Sequence, residues 1–505
     1  MTQKRYNVVY AITDQQRYDY AGCNPGVPVQ TPHLNRLASA GMVLDRFYCN
    51  NPICMPSRAT IATGRTARSN RVYDNGCALP ESEVTLPQVL AEHGYDTRAI
   101  GKIHLTPYGD PDGRYFESKA YWREKKSDDS PEPYAGFANA ELSIGHVDHD
   151  VGHYGRWLKR NYPDIFHNWD AYLTPHPCGL NDCFNWTIPP EAHANAWIAD
   201  RSIAAIHEGA ARYRETGEPF FLHLGFPDPH HPFRAPEPYG SMYSADTVVQ
   251  HNLNKETLKT KPPIYTEFYQ GILNREKLGA GDFCSNDLDT YTDAMYRQMA
   301  ATSMGMVTFV DAQFGRVMQA IEEAGLTDDT IIVFTTDHGD LMGDHRLIKK
   351  GPFLLEGSVH IPMVIRVPGV TTPNTRSDAL ACHMDFMPTL LDLLGIDIPR
   401  GVEGRSYRDV LVGKADRHRD GVLVEFLHQT MTDVPVKAWI TDEWKLVLWG
   451  GQDQHELYNL REDPGECVNR YGDPGCGEIQ QRLVREMLDE IMRSENTLPF
   501  PPSLF

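Results

Sequence analysis

The chain has 505 residues, more than one compact hydrophobic core usually holds, so a large domain with a smaller partner is expected. Hydrophobic residues make up 41% and charged residues 23%, which is typical of a globular enzyme and excludes disorder, collagen and coiled coils. The net charge of −20 excludes a general attraction to nucleic acid or anionic lipid, so neither is expected as a partner.

The N-terminus and the cysteines bear on the compartment. The first short apolar stretch ends in polar Thr13 and Asp14, and no small-residue cleavage site follows it. No window is long and apolar enough to cross a bilayer, so a cytoplasmic protein is expected, unless a leader was removed. The ten cysteines are spread thinly and lack a CxxC…CxxC zinc pattern, so most are expected to be buried thiols.

Apolar runs and capping residues predict an alternation of strands and helices. Helices are predicted from Thr31 to Gly41 and from Thr85 to Gly94, and one or two more over 293–325 with a break near Gly305. This alternation indicates an α/β sandwich around a mostly parallel sheet. Buried parallel strands are predicted at 7–12, 97–100, 220–225, 330–335 and 362–367.

Two irregular segments and a distinct C-terminal part complete the organisation. Residues 106–190 are predicted to be a long insertion of loops, and 240–290 are similarly irregular. A catalytic domain over 1–400 is followed by a subdomain over 401–505. The latter is predicted as a small antiparallel sheet with one helix: strands at 422–426, 438–441 and 444–449, and a helix over 478–493.

The most informative stretch begins at Cys54 and runs to Arg65, with the letters CMPSRATIATGR. Pro56 delays a helix, Ser57 is a candidate cap, and the helix that follows offers backbone N–H groups and a positive dipole end to an anion beside Cys54. Arg58 adds a fixed positive charge. A buried thiol ahead of an ordinary helix is the alternative that these residues alone leave open.

Carboxylates at two strand ends form a second constellation. Asp14 and Gln15 follow the first predicted strand, while Asp337 and His338 follow the strand over 330–335. Because ligands gather at the carboxyl ends of parallel strands, these four side chains are expected to converge on one divalent cation, completed by residue 54. The alternative is that both aspartates only cap the turns that follow them.

The Cys54 string resembles the signature of the type I sulfatases, C-x-P-S-R followed by T-G-R, in the alkaline phosphatase superfamily. The resemblance implies an alkaline-phosphatase-like sandwich and a cysteine that a separate formylglycine-generating enzyme oxidises to formylglycine. The hydrated aldehyde would supply the nucleophilic oxygen that attacks sulfur, and Arg58 would neutralise the sulfate oxygens.

The resemblance also implies a metal ion, usually calcium, bound by two pairs of residues after the two strands. Gln15 stands where a second Asp is commoner, and His338 where Asn is commoner; both departures look like the phosphonate monoester hydrolase and choline sulfatase branches. Calcium is expected because the ligands are mostly oxygen, with manganese as the alternative that an imidazole ligand suits.

Further polar residues complete the resemblance. Lys102 and His104 lie in G-K-x-H, where the lysine contacts sulfate and the histidine orients formylglycine. His230 lies in P-H-x-P, over the leaving group, although its neighbour His231 stays open as the acid. Lys350 is preferred to Lys349 as a second sulfate-binding lysine, and Asn75 is expected to face the pocket.

The sequence therefore predicts a sulfatase that hydrolyses a sulfate monoester of a small molecule or saccharide. One alternative is a phosphonate monoester or phosphodiester hydrolase of the same superfamily. Another, from a different class, is an inactive protein that binds sulfated ligands through an unmodified Cys54. A homo-oligomer is compatible with the sequence, which does not name the sulfated alcohol.

Overall fold

A large mixed sheet forms the centre of the protein. The computed structural model describes residues 4–124, 133–248, 252–273, 287–427 and 431–495, so parts of both predicted irregular segments, and Cys284, lie outside the described residues. Eight strands form the main sheet in the order β11-β2-β10-β9-β1-β8-β4-β5. The strands of this sheet are β1 (Asn7–Thr13), β2 (Met42–Leu44), β4 (Asp96–Gly101), β5 (Asn139–Leu142), β8 (Phe220–Gly225), β9 (Thr330–Thr336), β10 (Met363–Arg366) and β11 (Thr375–Ser377).

Helices cover both faces of this sheet. The α-helices of the described residues are α1 (Pro32–Ala40), α2 (Cys54–Thr63), α3 (Ala67–Asn70), α4 (Leu86–Glu92), α5 (Lys119–Glu124), α6 (Gly152–Asn161), α7 (Pro163–His167), α8 (Ala194–Thr216), α9 (Pro263–Tyr269), α10 (Asp293–Glu323), α11 (Glu356–Val359), α12 (Phe386–Leu394), α13 (Arg408–Leu411) and α14 (Gly477–Glu495). Val8 and Tyr10 of β1 pack in one core with α2, α4 and α12, whereas Val9 and Ala11 pack in another with α1, α8 and α10. Because successive strand residues point to opposite faces, a strand buried on both sides reads as a continuous apolar run. This explains why β1, β4, β8 and β9 were predictable, and the α/β sandwich is confirmed.

The central register places the two aspartates side by side. Strand β1 pairs in parallel with β9, and Thr13 lies opposite Thr336. Asp14 therefore follows β1 at the same level as Asp337 follows β9. The Asp337 N–H donates to the Thr13 carbonyl over 3.3 Å. Both carboxylates therefore lie at the carboxyl ends of neighbouring parallel strands.

Two predicted elements differ from the structure. The run over 362–367 was predicted as a parallel strand, but β10 pairs antiparallel with both β9 and β2. An apolar run reports burial and carries no information on direction, which the connection decides. The predicted break near Gly305 is wrong, because α10 continues through it. A Cβ there would lie 2.2 Å from the Tyr239 carbonyl oxygen, so this glycine allows close packing of a straight helix.

The insertion contains more regular structure than predicted. Besides α5, α6 and α7, residues 106–190 contribute β5, which pairs in parallel with β4 and forms one edge of the main sheet. They also form a small hairpin of β6 (Leu173–Pro175) and β7 (Phe184–Trp186). The prediction that this segment consists of loops is therefore wrong in part, since short elements with few apolar residues escape periodicity analysis.

The small C-terminal antiparallel sheet is confirmed. Its strands are β13 (Val422–Phe426), β14 (Val436–Ile440), β15 (Trp444–Trp449) and β16 (Glu456–Asn459), and a further two-stranded sheet joins β3 (Phe47–Tyr48) to β12 (Ala381–Cys382). In the four-stranded C-terminal sheet, Trp439 and Leu446 pack against Leu483 and Met487 of α14. Within the described ranges, no helix combines the length and apolar composition needed to cross a bilayer.

Candidate active site

Cys54 is the first residue of α2 and is buried, 1% exposed. The predicted capping is wrong: the helix starts before Ser57, whose hydroxyl instead donates to the Asp337 carbonyl over 2.6 Å. The Met55 N–H donates to Asn75 Oδ1 over 3.1 Å, so Asn75 satisfies one of the free N–H groups of the first turn. These contacts hold the start of the helix against the end of β9.

Two buried carboxylates lie among buried cations. Arg58 Nε donates to Asp337 Oδ2 over 2.8 Å, and its Nη2 lies 3.5 Å from Asp14 Oδ2. Lys102 forms an ion pair with Asp14. Burial alone would raise the pKa of Asp14, but the charges of Lys102, Arg58 and Lys350 outweigh it and hold this pKa well below its usual value. Asp14 is therefore ionised at neutral pH.

Cys54 lies at the meeting point of these groups. Its Sγ is 3.2 Å from His338 Nε2, 3.3 Å from Lys350 Nζ and 3.7 Å from Asp14 Oδ1. Asp14, Cys54, Asp337 and His338 each offer a ligand atom, and these atoms all lie within 4.8 Å of one another. Burial lowers the pKa of His338 to about 4, so its imidazole is neutral and able to bind a metal ion. The structure thus brings together four of the five predicted metal ligands.

Gln15, the fifth predicted ligand, bonds to other groups. Its Oε1 accepts a hydrogen bond from Lys350 Nζ over 2.7 Å, and its Nε2 donates to Asp340. Gln15 has a φ of 65° and Lys349 has a φ of 63°, both in the left-handed region. Residues other than glycine rarely adopt this conformation, and those that do are common at functional sites. Of the two candidate lysines, Lys350 reaches Cys54, whereas Lys349 pairs with Asp182 over 2.6 Å.

His230 is a further neighbour of Cys54. Its ligand atom lies within 4.8 Å of those of Asp14, Cys54 and His146. His230 Nδ1 donates to the His231 carbonyl over 2.6 Å, which leaves Nε2 for another partner. Burial lowers the pKa of His230 well below its usual value, and His231 and Lys350 lower it further. His231 Nδ1 contacts Gln15 Nε2 at 3.3 Å.

His104 and His146 have ring nitrogens that lack hydrogen-bond partners within the described residues. Both nitrogens of His104, and Nε2 of His146, are buried and make no hydrogen bond to any residue that the structure describes. Burial lowers the pKa of both histidines well below the usual value, so both rings are neutral. Because buried polar atoms are almost always paired, these nitrogens indicate room for a bound polar group.

His146 and Asp340 are site residues that sequence reasoning missed. His146 lies just after β5, in the insertion where no periodicity or motif singled it out. Asp340 stands three residues after Asp337 and bonds to Gln15, so its proximity to the second carboxylate pair was an available clue. Arg65, part of the predicted modification signal, lies outside this cluster and pairs with Glu83 over 2.9 Å.

Comparison with known proteins identifies the family. A sequence profile described as Sulfatase matches residues 6–396, and one described as N-sulphoglucosamine sulphohydrolase, C-terminal, matches residues 343–493. An arylsulfatase of Clostridium perfringens (strain 13 / Type A) is 30% identical over 489 residues, or 92% of this chain and 89% of that protein. The chain belongs to the sulfatase family and is a sulfuric ester hydrolase.

Two further proteins are similar over nearly the whole chain. The multifunctional alkaline phosphatase superfamily protein PehA of Trinickia caryophylli is 27% identical over 527 residues, covering 99% of this chain and 97% of that protein. The crystal structure of the phosphonate monoester hydrolase of Agrobacterium radiobacter superposes with a TM-score of 0.81 at 25% identity. It covers 97% of this chain and 96% of that chain. The chain therefore shares its fold with a phosphonate monoester hydrolase.

Proposed function

We propose that this sulfatase cleaves sulfate monoesters through a formylglycine formed at Cys54, beside a divalent cation held by Asp14, Asp337, His338 and residue 54. The observation that carries the proposal is the convergence of these four ligand atoms within 4.8 Å, with three cationic side chains around them. Two carboxylates, one imidazole and a further oxygen suit calcium, and the imidazole keeps manganese as the alternative.

The donor set fits such an ion. Asp14 and Asp337 are both fully buried, and buried carboxylates need a cation or hydrogen-bond donors. His338 Nδ1 bonds to the Gly339 carbonyl over 2.9 Å, which fixes the ring and leaves Nε2, 3.2 Å from Cys54 Sγ, as the ligand atom. When bound, the ion adds positive charge where the sulfate oxygens lie.

The environment of Cys54 favours its modification over direct use of the thiol. Burial and the charge of Asp14 raise the pKa of the Cys54 thiol to about 11, so little thiolate is present at neutral pH. A formylglycine at position 54 would supply a hydrated aldehyde instead: one hydroxyl would displace the alcohol from sulfur, and loss of the proton from the other would release sulfate and restore the aldehyde. The chain requires a formylglycine-generating enzyme as a transient partner.

The remaining residues act on the ester. Arg58, Lys102 and Lys350 surround position 54, and their positive charges neutralise the sulfate oxygens as charge develops. His230 is assigned the proton transfer to the departing alcohol. Its Nδ1–H donates to the His231 carbonyl, so the transferred proton is one that Nε2 takes up from solvent when the anionic ester binds and offsets the nearby positive charge of Lys350. His104 is assigned the orientation of residue 54. It lies close enough to Lys102 and Arg58 for their charges to lower its pKa, and neither ring nitrogen has a hydrogen-bond partner among the residues described.

The substrate class is a small-molecule or saccharide sulfate ester. The relatives include a protein named N-acetylglucosamine-6-O-sulfatase from Bacteroides thetaiotaomicron, 24% identical over 517 residues, which supports a saccharide. A second activity on phosphonate monoesters or phosphodiesters is favoured by Gln15, His338 and the similarity to the Agrobacterium radiobacter enzyme. Parallel kinetics on sulfate esters and phosphodiesters, with one preparation, separate these two activities.

The test of the nucleophile combines mass and kinetics. In protein co-expressed with a formylglycine-generating enzyme, the tryptic peptide 47–58 is expected to be lighter, because oxygen replaces the thiol sulfur. Cys54→Ala is expected to abolish turnover with an unchanged melting temperature, because position 54 supplies the nucleophile. Cys54→Ser is the matched control, since it retains a hydroxyl but cannot regenerate an aldehyde. Full activity of Cys54→Ala would refute the proposal.

A further inference from the structure

The loop of the β6–β7 hairpin contains three side chains of the types that bind metal ions. The loop runs over 176–183 and is closed by the His176 N–H, which donates to the Cys183 carbonyl over 3.0 Å. The Gly179 N–H donates back to the His176 carbonyl over 3.1 Å. Ligand atoms of His176, Cys178 and Cys183 all lie within 4.8 Å of one another. This cluster shares no residue with the catalytic centre.

We propose that His176, Cys178 and Cys183 bind one zinc ion. Two thiolates and one imidazole are a ligand set typical of zinc and poorly suited to calcium or magnesium. The oxygen-rich cluster around Asp14 and Asp337 has the opposite preference, so the two sites select different metals. Cys183 is buried, whereas His176 and Cys178 are half-buried, which leaves the fourth coordination position to water.

Local contacts orient the His176 ring and place Cys183 beside a polar group. The Cys178 N–H donates to His176 Nδ1 over 3.1 Å, so a lone pair of the imidazole already points into the loop, where zinc would replace this hydrogen bond. Burial lowers the pKa of His176, which keeps the ring neutral and able to bind metal. Cys183 Sγ lies 3.4 Å from the Thr302 hydroxyl, whose hydrogen donates to the Gln298 carbonyl and would have to turn toward Cys183 to donate to a thiolate.

Zinc binding is balanced by release of protons. Burial raises the pKa of the Cys183 thiol to about 12, so this thiol is protonated until a metal ion binds. Zn²⁺ bonds to both sulfurs, and each thiol gives its proton to the solvent, so no oxidant or reductant is needed.

The loop is connected to the region beside the catalytic lysine. The Phe233 N–H donates to the Asp182 carbonyl over 2.7 Å, and the Asp182 carboxylate pairs with Lys349, next to Lys350. A zinc ion that closes the loop would therefore hold one wall near the substrate in place. Its removal is expected to lower the melting temperature, because a metal that binds only the folded loop stabilises it.

The experiment uses the full chain carrying Cys54→Ala, which removes the thiol of the catalytic centre. The outcome then does not depend on formylglycine or on activity, so failure here is distinct from failure of the proposed function. After treatment with a chelator, addition of Co²⁺ is expected to produce a thiolate-to-cobalt charge-transfer band, which Zn²⁺ abolishes. Cys178→Ser and Cys183→Ser are each expected to lose this band. Cys467→Ser, which changes a half-buried cysteine elsewhere, is expected to retain it.

A second measurement needs no change in the loop. Zn²⁺ is expected to slow the reaction of two thiols with a disulfide reagent, and peptide mapping is expected to identify them as Cys178 and Cys183. The absence of a charge-transfer band, or equal thiol reactivity with and without Zn²⁺, would overturn the proposal. The proposal would also be overturned if Cys178 and Cys183 remained joined by a disulfide in protein purified under mildly reducing conditions.

Discussion

The imidazoles of His146 and His230 stack face to face, with ring centroids 3.4 Å apart and planes inclined by 6°. His146 comes from the insertion, whereas His230 follows β8 in the central sheet. The stack therefore joins the insertion of residues 106–190 to the residue assigned to the leaving group. It fixes the ring plane of His230 from one side.

We expect His230→Ala to damage turnover according to the basicity of the leaving group. A sugar or alkyl alkoxide needs a proton, so a general acid contributes on the order of 10²- to 10⁴-fold there, whereas nitrophenolate leaves unassisted. The measurement is kcat/KM on an alkyl sulfate and on nitrophenyl sulfate. His231→Ala is the matched control for the neighbouring ring. Equal losses of His230→Ala on both esters would contradict the proton-transfer role.

His146→Phe is expected to separate stacking from hydrogen bonding. Phe keeps an aromatic ring against His230 but removes the buried Nε2, which has no partner among the described residues. A neutral hydrogen bond is worth about 1 kcal/mol, so KM should rise roughly fivefold while kcat changes little. His146→Ala also removes the stack and should lower kcat as well. If His146→Phe has the same KM as the protein without this substitution, His146 Nε2 does not bind substrate.

Asp337→Asn is expected to weaken binding of the divalent cation. The substitution replaces a buried anionic ligand by a neutral one and also removes the partner of Arg58 Nε. An affinity loss of at least about tenfold is expected, since even residues behind the ligands contribute that much. Calorimetric titration of chelator-treated protein with Ca²⁺ and Mn²⁺ measures it. An unchanged affinity for both ions would show that this carboxylate is not a ligand.

Asp385→Asn is expected to destabilise the fold by about 3–5 kcal/mol, because it leaves the buried Arg419 without its main partner. Asp385 also accepts a hydrogen bond from His418 Nε2 over 3.1 Å, and so links the segment before α12 to the C-terminal part. Urea unfolding at pH 7 measures the loss. Asp420→Asn, in an exposed pair with Arg417, is the control and should change nothing measurable.

The same carboxylate predicts a pH dependence of stability. Burial alone would raise the pKa of Asp385, but Arg419 and His418 hold it well below its ordinary value of 3.8. Its stabilisation is therefore complete above pH 3.8 and is lost as the pH falls below that value. In Asp385→Asn this acid-induced loss should be smaller. An identical decline in both proteins below pH 4 would assign it to other carboxylates.

The sequence could predict the parts of this protein that local pattern determines. The strands β1, β8 and β9 are mostly apolar, and Asp14 and Asp337 stand directly after two of them. The direction of β10 was not predictable, because it depends on the connection before it. Gly305 looked like a helix break until the Tyr239 carbonyl explained its size. His146 reaches Cys54 only through the packing of the insertion, which leaves no periodic trace.

The register of β1 against β9 sets unequal limits on insertion and deletion along the chain. One residue removed from either strand would shift the following aspartate by about 3.3 Å and turn it to the opposite face of the sheet. The loops of 106–190 can change length without moving Asp14 relative to Asp337, because neither strand passes through them. A change of length within this insertion would therefore leave the spacing of the two carboxylates unchanged.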